Sequence, residues 1–154
     1  MRWYVCPESW SFVLRRYLPR LALCSLVWEV AQLPLYTLWA SPPERILFAV
    51  AHCTLGDVMI GTVALVIALM LNRAGKHANW PKARIVVSMI FLAVIYTLLS
   101  ERRNLTQGHW AYSPWMPVLP WIEVGLAPIL QWVIVPLVAW RWANRRSCPV
   151  GQLK

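Results

Sequence analysis

Charge is scarce in this chain. Only 14% of its 154 residues are charged and just six are Asp or Glu, whereas 59% are hydrophobic and the mean hydropathy is +0.51. That balance excludes an ordinary soluble globular domain, in which about a quarter of residues are charged. Metal and redox signatures are missing as well: there is no HExxH, no CxxC pair and no two-histidine helical motif. The four cysteines give no disulfide framework, because Cys6 and Cys148 fall in segments expected to be cytoplasmic and Cys24 and Cys53 fall within apolar runs. No internal repeat is evident, so a carrier built from two halves of one chain is not indicated.

What the chain does have is long apolar runs. Four of them, at 18–40, 46–71, 83–100 and 118–142, approach or exceed the roughly 20 residues that cross about 30 Å of hydrocarbon as a helix. The third is the shortest, and Arg84, Glu101, Arg102 and Arg103 at its ends can snorkel to the interface. Barrel strands would instead be about ten residues long with alternating polarity. The expected fold is therefore an all-α integral membrane protein, a four-helix transmembrane bundle forming one domain over 1–154. Pro120, Pro128 and Pro136 predict a kinked fourth span.

Orientation follows from the basic residues. Twelve of fifteen Lys and Arg lie in the amino-terminal segment up to Arg20, in the 72–84 loop or in the tail from Arg141 onward. Cytoplasmic flanks carry such an excess, so both termini are expected in the cytoplasm, and a bacterial inner membrane is the expected location. Topology and anionic lipid then account for the net charge of +9 without a nucleic-acid partner. Trp39, Trp110, Trp115 and Trp121 are expected at the outer interface, with Trp80, Trp140 and Trp142 at the inner one.

Ahead of the first run, Trp10, Val13, Leu14, Tyr17 and Leu18 recur at helical spacing, with Phe12 out of phase. The pattern predicts an interfacial amphipathic helix over 8–18 that turns at Pro19 into the first span. Arg15-Arg16-Tyr17-Leu18 resembles a twin-arginine export signal, but Glu29 and Gln32 interrupt the apolar run behind it and no A-x-A site follows. Cleavage is not expected.

Ionisable groups inside apolar runs carry the functional signal, because a charge in hydrocarbon costs a few kcal/mol and is usually retained for use. Glu29, Gln32 and Tyr36 fall at i, i+3 and i+7, one helical stripe. In the second run Cys53 and Asp57 are one turn apart, with His52 beside them and Gly56 and Gly61 removing bulk. At about 1.5 Å per residue, Glu29 and Asp57 each lie about 16 Å below their outer ends, and His52 about 9 Å. The expectation is an outward-opening polar site of Glu29, Gln32, Tyr36, His52, Asp57, Glu101 and Gln131, lidded by His109, Trp110 and Tyr112 of an aromatic 101–117 loop. Glu101 could instead pair with Arg102 or Arg103, and Glu123 is expected above the site in the fourth span.

Three function classes fit these residues. One is binding or relay of protons, ions or a small polar solute by Glu29, Asp57 and His52. A second is a metal- or cofactor-dependent membrane enzyme in which His52, Asp57 and Glu29 are ligands, with Cys53, His109 or Met116 as further candidates and the cofactor unspecified. The third is an accessory subunit of a larger membrane complex, with the polar groups as interhelical glue. Besides the lipid bilayer, a homo-oligomer or such a complex is the partner in view.

Overall fold

The computed structural model describes residues 2–145, so the tail's Arg146, Cys148 and Lys154 lie outside the described residues. The chain is helical, with α1 (Pro7–Ser11), α2 (Leu18–Gln32), α3 (Pro43–Leu71), α4 (Lys82–Thr106) and α5 (Leu126–Asn144). At 29, 25 and 19 residues, each with an 18-residue stretch of mean hydropathy 2.1, 2.1 and 1.4 respectively, α3, α4 and α5 are long and apolar enough to cross a membrane. These three fit a membrane-embedded protein. α2 has 15 residues, about 22 Å of regular helix, and is short for a crossing by itself.

Helical conformation is nonetheless unbroken from Pro7 to Gln32, because a π-helical stretch, Phe12–Tyr17, joins α1 to α2. The expected turn at Pro19 is not there. Pro19 sits in the first turn of α2, where its missing N–H is not needed, and the wider stretch before it lets Leu18 donate to the Val13 carbonyl. The widening also rotates the apolar stripe. Phe12, Val13 and Tyr17 are buried, while Trp10 and Leu14 face outward, so Phe12 belongs to the inner face.

Prolines set the other departures. The expected 18–40 helix stops at Gln32, because Pro34 cannot supply the next ladder N–H, and the chain passes through Leu33–Leu35 to an extended Tyr36 (φ −117°, ψ 149°). The 118–142 run begins as a small antiparallel hairpin, β1 (Val118–Leu119) against β2 (Val124–Gly125), with Pro120 in its connection. Its helix starts only at Leu126, with Pro128 tolerated in the first turn and Pro136 inside. Glu123 therefore lies in the hairpin turn, exposed and with φ +55°, away from the polar site.

α2 packs on α3 and α5, and α4 packs on the same two. Leu21, Leu65, Leu69, Ile85, Met89 and Ala139 fill the space between them with no exposed surface. Gly61 is what lets α2 approach α3, since a Cβ there would stand 2.5 Å from Leu21 Cδ2. Gly56 has nothing within 4 Å of that position and opens onto a cavity.

The two ends of the molecule differ in character. At one end Trp3 N–H donates to the Ala74 carbonyl (3.0 Å) and Arg16 to the Arg145 carbonyl (3.1 Å), gathering the amino-terminal segment, the α3–α4 connection and the end of α5. Phe12, His77, Trp80 and Trp140 stack there, with His77 and Phe12 ring centroids 4.1 Å apart. Trp80 and Trp140 are thus buried packing residues, whereas Trp142 is exposed under Arg20. At the opposite end the carboxy-terminal ends of α2 and α4 meet the amino-terminal ends of α3 and α5 around a polar cavity. Trp39, Trp115 and Trp121 are exposed at that end.

Candidate functional site in the polar cavity

The cavity has a volume of about 640 Å³ and is half open. Each of the four long helices supplies part of it. α2 gives Glu29 and Gln32, α3 gives Arg45 to Ile60 in part, α4 gives Tyr96 to Asn104 in part, and α5 gives Pro128, Gln131 and Trp132. Polar groups converge in two places.

The floor is a cluster of two acids and two amides. Gln131 Nε2 donates to Asp57 Oδ2 at 2.5 Å and to Glu29 Oε1 at 3.2 Å, so a single α5 amide holds the carboxyls of α2 and α3. Gln32 Nε2 also donates to Glu29 Oε1 (2.8 Å), and Trp28 Nε1 donates to Gln32 Oε1 (3.1 Å). Glu29, Gln32, Asp57 and Gln131 are all buried, with 8, 7, 8 and 3% of their surface exposed. Buried polar groups in hydrocarbon need such partners, and the amides supply them. No guanidinium or ammonium takes part in these bonds. Each carboxyl engages the amides through one oxygen only, Glu29 Oε1 and Asp57 Oδ2.

The second cluster lies nearer the opening and centres on Glu101. Its Oε1 accepts from Tyr112 (2.8 Å), Tyr36 (3.0 Å) and Trp110 Nε1 (3.3 Å). Its donors are aromatic, and neither Arg102 nor Arg103 is among them. Tyr112 in turn accepts the Gly125 N–H at 2.8 Å, which ties the hairpin to the cluster. Burial, and then the neighbouring Glu101, hold the Tyr112 hydroxyl above its ordinary pKa, so it serves as a donor. Tyr36 reaches Glu101 because the break at Pro34 takes it off the helical stripe, and an isolated bridge pairs it with Tyr112.

The remaining expected residues are dispersed. His52 lines the cavity but is exposed and stacks on Phe48, with ring centroids 5.7 Å apart. His109 binds the Asn104 side chain (2.9 Å) at the rim. Met116 is buried under Gly125 and does not line the cavity. Among the described residues no three His, Cys, Asp or Glu side chains are grouped so as to hold a metal, and His52, Glu29 and Asp57 do not form such a set. Trp28 also joins the floor, and its spacing one turn before Gln32 is the sequence signal for it. Ser25, one turn before Glu29 on the same stripe, is fully buried with no hydrogen-bond partner.

No family model matches the chain, and neither the curated proteins nor the solved structures contain a match to it.

Proposed function

We propose that the chain is a four-span membrane protein, one domain in a bacterial inner membrane, whose cavity opens to the non-cytoplasmic side and binds or relays protons, ions or a small polar solute. The observation that carries this reading is the bridge from Gln131 to both Glu29 and Asp57 at the cavity floor. Two carboxyls on one amide, without a basic partner in the cluster, repel one another at low dielectric. A proton or another cation relieves that repulsion, and its arrival or departure is the chemistry the arrangement supports.

The fourth crossing would be α2, lengthened toward the basic end by the helical stretch before it. The gathering of Arg16, Arg145 and the α3–α4 connection at the end away from the cavity supports a cytoplasmic assignment for that end. Assembly with further copies remains compatible with the exposed apolar faces of α3 and α4.

Purified protein in liposomes loaded with a pH-sensitive dye tests the reading. Wild type should move protons or couple them to a solute gradient, and Glu29→Gln or Asp57→Asn should abolish this while inserting normally. Unchanged flux in both variants would refute it. Single-cysteine labelling should find Lys76 cytoplasmic and Gln107 external.

A further inference from the structure

We propose that the cavity's ligand is an organic ammonium ion with an apolar or aromatic body, its charged head at Glu29 and Asp57 and its body directed toward Trp110. The inference rests on the cavity being a binding site, as above, and adds the class of ligand.

Size is the first argument. A bare proton or inorganic cation would leave nearly all of about 640 Å³ to water, whereas sites of roughly 300–1,000 Å³ suit drug-sized molecules. The wall chemistry is the second. Apart from the two polar clusters, the lining includes Phe48, Tyr96, Trp110 and Trp132, aromatic residue types that attract a cation and pack against an apolar body. Charge is the third. Glu29, Asp57 and Glu101 line the space against Arg45 alone among Lys and Arg, which favours a cation over an anion.

The floor supplies the geometry. Glu29 and Asp57 lie within hydrogen-bonding reach of one another and share the Gln131 amide, and both are more than nine-tenths buried in the cavity wall, so a head that brings N–H donors to the floor meets two carboxyls at once. An ammonium head offers two or three such donors; a quaternary head offers none and fits less well.

Calorimetry on the full chain in detergent tests this with 4-phenylbutylammonium, its neutral analogue 4-phenylbutanol, and sodium chloride. One ammonium should bind per chain, with the alcohol at least about tenfold weaker and no displacement by sodium, a difference of about 1.4 kcal/mol or more. Asp57→Asn and Glu29→Gln should each weaken the ammonium about tenfold or more and leave the alcohol unchanged, and Trp110→Ala should weaken both. Equal binding of ammonium and alcohol by wild type, or no binding of either, would overturn the proposal and needs no variant to be read. If the ammonium fails to bind while proton flux is lost in Asp57→Asn, the ligand class is wrong and the proton reading stands. If neither is seen, both fall.

Discussion

Tyr36 and Tyr112, 76 residues apart in the sequence, cross with ring centroids 5.5 Å apart at 62° and direct both hydroxyls at the same oxygen of Glu101. One carboxylate thereby fastens the broken end of α2 to the loop that follows α4.

The two tyrosines are not equivalent. Tyr36→Phe removes one donor from Glu101 and should cost about 1 kcal/mol of stability. Tyr112→Phe also strips the Gly125 N–H of its acceptor and should cost about 1 kcal/mol more. Thermal unfolding in detergent should rank them in that order, and the double variant should fall short of the sum because both act on Glu101.

Gln131 bridges two helices at once. Replacing it with Leu leaves Asp57 without its amide donor and Glu29 with only Gln32, and buried groups left unpaired cost about 1–3 kcal/mol each. A drop in melting temperature with Gln131→Leu, larger than with a substitution at the exposed Gln107, is the expected result.

The glycines of α3 should respond with opposite signs. Gly61→Ala drives a methyl into Leu21 and should destabilise by about 1–3 kcal/mol. Gly56→Ala meets nothing within 4 Å and should be neutral or stabilising by up to about 1 kcal/mol through helix propensity. Equal losses in the two variants would show that α2 does not approach α3 at Gly61.

His77 should make stability depend on pH at the basic end. Burial, then Lys82 and Arg16, hold its pKa below the ordinary 6.5, so the unfolded chain takes up the proton first. Its neutral form is the native one, and stability should fall as pH drops through 6.5 and level off once the folded histidine is also protonated. His77→Gln should flatten that slope between wild-type and variant melting curves.

Long apolar runs made the helices of α3 and α4 legible, because length and hydropathy act locally. Helix ends were less so. The prolines of the fourth run predict a kink within a span, yet Pro120 delays that helix, and Pro34 ends α2 so that Tyr36 lies off the stripe on which its spacing places it. The site's composition was readable from acids within apolar runs. Its wiring was not, since the bonds from Gln131 to Asp57 and Glu29 span 74 and 102 residues, and helical spacing says nothing about which faces meet. His52 shows the same gap: it lines the cavity, but its ring rests on Phe48 outside the hydrogen-bonded floor.

The break at Pro34 also has a mechanical side. Thr37 N–H donates to the Ala111 carbonyl, Ser113 N–H to the Leu35 carbonyl and Ser113 Oγ to the Pro34 carbonyl, at 3.0, 2.9 and 2.9 Å. The loop after α4 is thus stitched to the stretch of backbone that proline released from the helix, and the two segments form one edge of the cavity's mouth. Because these hydrogen bonds join the two segments, displacing the loop would also displace the end of α2.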